Sequence, residues 1–283
     1  MRVDGETGIV PLRAMTAGEV LDAAVALLRQ RALPLLTLSL VLAAAEQLLL
    51  GRLRDAAGLR PPFYYWGVGP ENVSWVPVLA TGFATEAFII AVLGGYAGAA
   101  AGPALLGRHV RHRELWQRSR PAATLLIALT MAALTFGAAI AGFVGVIFVY
   151  GLAGLATVIL TIDRTANPFT ALGRSVGRSA RHGMRGLLVR LMGYLTWLAI
   201  RLALGSGWVF AAERLTPVSG TEWWLYWAVP IAWGLANAVA YAALACMDAV
   251  LLLDIRIRTE GLDISVGRAR SLGRDTEAVL VAR

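Results

Sequence analysis

Glu46, Glu86, Arg201 and Asp248 stand inside stretches of sequence that are otherwise apolar. An ionisable group in such a setting costs at least ~2–3 kcal/mol and is a functional candidate by default. Counted along their stretches, Glu46, Glu86 and Arg201 fall at overlapping depths, so one cluster of three is geometrically possible. It could line a polar cavity or proton path, or it could hold three helices together as a neutralised structural group. Asp248 lies at a different depth, where Arg190 is its natural partner, a second buried pair. Arg174, Arg178, Arg181 and Arg185 recur at 0, 4, 7 and 11, one basic stripe on a straight helix. Such a stripe attracts anionic lipid headgroups by about 1 kcal/mol per residue, or it serves only as a topology signal. Gly94, Gly98 and Gly102, four apart, form a ridge of small residues that lets another helix approach closely, whether in this chain, a protein partner or a second copy.

Other chemistry is weakly signalled. All 26 basic residues are arginine, so Schiff-base chemistry, a Walker-type phosphate loop and a Ser-x-x-Lys nucleophile are excluded. Gly173-Arg-Ser175-Val-Gly177 matches Gly-x-Ser-x-Gly, but a nucleophile elbow needs a preceding strand, and the flanks here read as a basic amphipathic helix. His109 and His112 have only Glu114 nearby, which makes a metal site a poor expectation. Cys246 is the only cysteine, so no disulfide framework exists within the chain. Neither catalysis nor a cofactor is expected. Nucleic acid is not an expected partner either, because the net charge of +8 resides in segments flanking apolar stretches.

The elements that must position these residues are transmembrane helices. Of 283 residues, 58% are hydrophobic and only 16% charged, and the mean hydropathy is +0.64. Soluble domains carry about 25% charged residues, so the composition is that of a membrane protein. A span needs roughly 20 apolar residues. Apolar stretches run over Ala32–Leu50, Trp75–Leu106, Pro121–Ile162, Gly186–Ala212 and Trp223–Leu253, and the third is long enough for two helices turning near Ala141-Gly142. The expected fold is an all-α polytopic bundle with six spans at 32–50, 75–106, 121–140, 143–162, 186–212 and 223–253, arranged as three hairpins. The second and last stretches exceed one span, so each should tilt, break or run past the bilayer, with Pro103 and Pro230 the expected places.

This divides the chain into an N-terminal segment 1–31, a six-helix region 32–257 and a tail 258–283. Twenty of the 26 arginines fall in segments that such a layout puts on one side, which should be the cytoplasm, with both termini there. Trp66, Trp75, Trp223, Trp224 and Trp227 gather at the opposite face, as an interfacial aromatic belt would. Residues 1–31 contain four acids and no apolar core, so no signal peptide is expected. Thr16-Ala-Gly-Glu19 is a capping box, and Val20, Ala24, Leu27 and Leu28 then form one apolar face. Asn167-Pro168 starts a second helix with Phe169, Leu172 and Val176 as its apolar edge. Both are expected to lie as interfacial amphipathic helices on the inner leaflet.

The ends of the chain carry a resemblance. Met15-Thr-Ala-Gly18-Glu19-Val20-Leu21-Asp22-Ala23 and Asp254-Ile-Arg256-Ile-Arg258-Thr-Glu260-Gly261-Leu262-Asp263 resemble the opening and closing motifs of a bacterial family of multi-pass proteins. These are similar to the membrane domain attached to some glycerophosphoryl diester phosphodiesterases. Asn167-Pro168 with Ala171-Leu172-Gly173-Arg174-Ser175 resembles that family's central cytoplasmic segment. The high Ala, Gly and Arg content with no lysine suits an actinobacterial source. In that family the hydrolase is a separate soluble domain, and the chain runs only some twenty residues past the closing motif, so phosphodiesterase activity is not expected here. The expectation is a plasma-membrane protein acting as a non-catalytic scaffold or accessory subunit in envelope or lipid homeostasis. The alternative is a transporter with its site at Glu46, Glu86 and Arg201. Glu19 and Asp22 are expected to meet Arg256 and Arg258 in an ionic clasp.

Overall fold

The computed structural model describes residues 8–59, 75–215 and 223–281, with the side chains at 181–183, 213 and 215 left aside. Trp66 and the side chain of Arg181 therefore lie outside the described residues. Within them the protein is all α, with no strand, and six helices are long and apolar enough to cross a membrane. Their outward faces carry an apolar belt, with Leu33, Val41, Leu48, Leu129 and Phe148 each more than half exposed. A soluble monomer rarely leaves so much apolar surface open, whereas lipid covers it.

Helix α1 (Ala17–Gln30) begins at the capping box: the Thr16 hydroxyl accepts the Glu19 amide and Glu19 accepts the Thr16 amide at 2.7 Å. Helix α2 (Ala32–Ala56) is the first span and α3 (Trp75–Leu106) the second. Short α4 (His112–Arg118) leads to α5 (Pro121–Ala141), which ends at Gly142 with φ 135°, a value that favours glycine. The fourth span is composite: α6 (Val144–Phe148), a π-turn over Val149–Ala153, then α7 (Ala156–Ile162). Helix α8 (Pro168–Leu202) is followed by a second π-turn over Ala203–Gly207 and by α9 (Trp208–Leu215). Helix α10 (Leu225–Glu260) is the last span, and α11 (Leu262–Ser271) and α12 (Glu277–Leu280) form the tail.

Helix α10 is the axle. Every residue from Ala240 to Ile257 is buried, and α1, α2, α3 and α8 pack around it. At about 1.5 Å per residue its 36 residues exceed a ~30 Å hydrocarbon core, so its end carries Arg256 to Glu260 past the apolar zone. It runs straight through Pro230, and α3 continues through Pro103, so neither proline breaks its helix. The irregularities fall instead at the two π-turns and at Met184. There φ is +60°, and Gly186 backs onto the Ser179 backbone seven residues earlier. A straight helix would hold those residues about 10 Å apart, so α8 bends sharply between its basic first half and its membrane-spanning second half.

The first amphipathic segment departs from the expectation of a helix lying on lipid, whereas in the second Phe169 and Val176 are exposed and Leu172 is half-buried. Val20, Ala23, Ala24, Leu27 and Leu28 of α1 are buried, and the helix packs on α10. Leu21 reaches Gly193 beside Met247. The apolar face of α1 is covered by protein. Only Gly18, Asp22, Val25 and Arg29 face outward.

Glu19 makes this helix start sensitive to pH. Its bond to Arg13, together with the Thr16 amide, holds its carboxyl down to about 2, against about 4.3 in an unfolded chain. A depressed carboxyl stabilises the fold above its unfolded value, and that contribution is lost as pH falls from about 4.3 towards 2. Amide protection relative to the unfolded chain in the first turn of α1 should therefore fall over that window. In Glu19→Gln the fall should be absent, and an unchanged acid response in the variant would assign it elsewhere.

Candidate functional site

Two buried ion pairs are linked by tyrosines through the middle of the bundle. On α8, Arg190, Tyr194 and Arg201 fall at 0, 4 and 11; on α10, Asn237, Tyr241 and Asp248 fall at the same spacing. Eleven residues make about three turns, so each set lines one face, and the two helices run in opposite directions. Arg190 therefore meets Asp248 in the half of the bundle nearer to α1 and the closing motif: Nε donates to Oδ1 at 2.6 Å and one Nη to Oδ2 at 2.8 Å. Arg201, farther up, grips Glu86 of α3, each carboxylate oxygen taking one Nη at 3.0 Å. Bidentate arginine–carboxylate pairs of this kind are the strongest charge-assisted contacts and fix relative orientation.

Tyrosines join the pairs. The Arg190 guanidinium lies 4.1 Å from the Tyr150 ring centroid, Tyr150 packs on Tyr194 at 4.8 Å, and Arg201 lies 5.4 Å from the rings of both Tyr194 and Tyr241. Cation–π contacts add to each cation where water is excluded. The Tyr241 hydroxyl then donates to Glu46 at 2.9 Å. Glu46 makes no ion pair among the described residues. Its oxygens accept from Thr85 at 2.8 Å, Asn237 at 3.1 Å and Tyr241, all neutral donors. Glu46, Glu86 and Arg201 thus share one network, although the direct contact is Glu86–Arg201 and Tyr241 is the bridge to Glu46.

Local irregularity makes room for these groups. The π-turn at Val149–Ala153 carries Tyr150, and just beyond it the Arg190 guanidinium presses on Gly154, where an added Cβ would coincide with it. The Ser175 hydroxyl donates to Leu152 O at 2.7 Å and accepts the Leu155 amide at 3.1 Å, satisfying backbone groups next to the π-turn. The serine of the Gly-x-Ser-x-Gly match is thus fully buried and bonded to backbone on both sides. The second π-turn follows Arg201 directly, and its Gly205 lies under the Trp233 ring. π-turns often mark functional positions because they re-aim side chains out of helical register.

The glycine ridge is internal. Gly94 and Gly98 receive Thr157, Val158 and Thr161 of α7, and Gly102 receives Leu280 of the tail. The basic stripe does not form one face, because α8 bends between its members. Arg178 binds Asp163 at 2.6 Å and Glu260 at 2.7 Å, Arg174 lies 3.7 Å from Asp163, and Arg185 donates to Met15 O at 2.7 Å.

A second polar layer closes the end where Met15 meets the closing motif. Asp254, fully buried, accepts the Met15 amide at 2.8 Å and Arg258 Nε at 3.0 Å. Met15 O also accepts from Arg258. Arg256 binds Asp163 at 3.2 Å and Glu260 at 2.7 Å. The expected clasp between the two ends exists in another form: Glu19 is taken by Arg13 and Asp22 is exposed, and the closing motif holds the Met15 backbone instead. A carboxylate and a peptide unit make a shorter, more buried closure than two exposed side chains would. On the tail, Glu277 collects Arg118 at 2.5 Å and Arg164 at 2.8 Å.

At the opposite end an apolar groove of about 510 Å³ opens between α2 and α10. Leu40, Ala44, Leu48 and Gly51 line it from α2, and Trp227, Ile231 and Leu235 from α10. Its outer end is polar, with Arg52, Arg54, Asp55 and Gln47, and the Tyr226 hydroxyl bridges it by donating to Asp55 at 2.6 Å. Trp75, Trp208, Trp223, Trp224 and Trp227 gather at this end. Among the described residues no group of three His, Cys, Asp or Glu is placed to hold a metal ion, and His112 instead meets the Tyr96 hydroxyl at 2.9 Å.

Sequence reasoning missed Tyr194, Asn237 and Tyr241. Their 0, 4, 11 spacing with the buried charges was the available signal. Compared with protein-family models, characterised proteins and solved structures, the chain has no significant match.

Proposed function

We propose that the protein resides in a bacterial plasma membrane with both termini in the cytoplasm, and that it is a non-catalytic scaffold or accessory subunit that holds an amphiphilic lipid in the groove between α2 and α10. The groove carries this reading. It lies within the apolar belt, its volume falls in the ~300–1,000 Å³ range of ligand sites, and its charged lining is at its outer end. The occupant that fits is a molecule with an acyl chain along Leu40, Leu48, Ile231 and Leu235 and a polar head beside Arg52 and Arg54. The asymmetry of arginine supports the orientation. Two bidentate pairs that lock helix register support a rigid, scaffold-like bundle. The likeness of both chain ends to the membrane domain of certain phosphodiesterases supports a place in lipid homeostasis.

Filling the groove tests this. Ala44→Phe with Gly51→Phe adds bulk where no core contact is lost, since Ala44 is exposed and nothing lies within 4 Å of a Cβ at Gly51. Wild-type protein extracted in mild detergent should retain about one lipid per chain in native mass spectra. The filled variant should lose it while keeping its unfolding temperature. Equal lipid retention in both would refute the groove.

The carrier reading draws on a separate observation: Arg201 Nε and Asn237 Oδ1 are buried and make no hydrogen bond within the protein, beside the neutral-donor shell of Glu46. Polar valences of that kind suit a midplane site for a polar solute. Labelling of Thr85→Cys by a membrane-impermeant thiol reagent separates the two. The scaffold keeps it protected, and a carrier exposes it.

A further inference from the structure

At the other end a cleft of about 1280 Å³ lies between the first half of α8 and the tail helices α11 and α12. We infer that this cleft binds a phosphate-bearing anion, either a free phosphate compound or a phospholipid headgroup. The inference is independent of the groove.

Charge is the first argument. Five arginines line the cleft against two carboxylates, Glu260 and Asp275. Both carboxylates are already engaged: Glu260 is held at 2.7 Å by Arg178 and again at 2.7 Å by Arg256, and Asp275 lies 3.6 Å from Arg108 and accepts the Glu277 amide. Arg268 and Arg274 make no ion pair among the described residues, and both are exposed. The nearest acid to Arg174 is Asp163 at 3.7 Å, and Asp163 already takes Arg178 and Arg256. Three guanidinium groups therefore border the cleft without a firm anionic partner. Guanidinium forks match phosphate oxygens bidentately, which a rim of simple positive charge would not do.

Shape is the second argument. Gly173 and Gly177, one turn apart beside Arg174, have nothing within 4 Å of an added Cβ, so bare backbone forms that wall. Thr170 and Ser265 add hydroxyls. On α11, Arg268 lies between Ile264 and Leu272, which are 68% and 56% exposed and four residues away on either side. An anion with an apolar portion would satisfy both.

The test uses the whole chain carrying Arg268→Gln and Arg274→Gln, which break no described ion pair, with Arg111→Gln and Arg113→Gln as a charge-matched control outside the cleft. Inorganic pyrophosphate is titrated calorimetrically into detergent-solubilised protein. In a second arm, unfolding is followed in nanodiscs of phosphatidylcholine alone or with about one-third phosphatidylglycerol. Pyrophosphate binding that weakens at least about tenfold in the cleft variant but not in the control supports a free phosphate compound. Stabilisation by phosphatidylglycerol that is lost only in the cleft variant supports a headgroup. If neither arm distinguishes the cleft variant from wild type, or if the control loses as much, the inference is overturned.

Discussion

Arg190→Met is expected to destabilise the bundle by about 3–5 kcal/mol, because it leaves Asp248 buried and unpaired. Arg190 is wholly buried and Asp248 nearly so, and both carboxylate oxygens are occupied by this one guanidinium. Nothing else in the described structure compensates Asp248. Asp248→Leu introduced with Arg190→Met should recover most of the loss, since replacing a whole buried pair by apolar groups is often close to neutral. A double-mutant cycle on unfolding in mixed micelles measures this, with a coupling energy well above the ~0.6 kcal/mol average of ordinary interhelical hydrogen bonds as the expected result. Simple additivity would show that the pair is not coupled. Gly154→Val should resemble Arg190→Met even though it removes no charge, because its side chain would occupy the space of the guanidinium.

The second large effect is expected at Asp254→Ala. Asp254 is fully buried and holds the Met15 amide and Arg258, with Arg185 at 3.4 Å. Its removal leaves a buried amide without an acceptor and two arginines short of a counter-charge, a loss of about 2–4 kcal/mol. The loss should be local. Residues 8–31 should become sensitive to brief proteolysis at a temperature where the spans remain folded, since the Met15 contacts are what anchor α1 to the closing motif. Charge reversal at Glu19 paired with reversal at Arg256 should show no mutual rescue, because Glu19 belongs to Arg13 and Arg256 to Asp163 and Glu260. Rescue there would contradict the closure described.

What could be read in advance followed from periodicity and burial cost. The six spans and the turn at Gly142 follow from runs of apolar residues, because a bilayer admits little else. The pairing of Arg190 with Asp248 follows from depth alone. What could not be read was whatever depends on a partner. The apolar face of α1 was legible, but not that α10 rather than lipid covers it. The spacing of Arg174, Arg178, Arg181 and Arg185 implies a stripe only on a straight helix, and the positive φ of Met184 has no sequence signal. Of the outcomes open at Pro103 and Pro230 no break occurs, and α10 runs past the apolar zone instead, while the two π-turns sit where Tyr150 packs against Arg190 and just after Arg201. The ridge at Gly94, Gly98 and Gly102 was visible as a contact surface, yet its occupants, α7 and Leu280, are distant in sequence.

The central claim is a rigid bundle with an amphiphile in its α2–α10 groove, and a cryo-EM structure in nanodiscs of native lipid tests it most directly. The account predicts elongated density along Leu40, Leu48, Ile231 and Leu235, ending in a head beside Arg52 and Arg54, with the Arg201–Glu86 pair intact. A closed, empty groove, with solute or a water file at Arg201 and Glu46 instead, would contradict it.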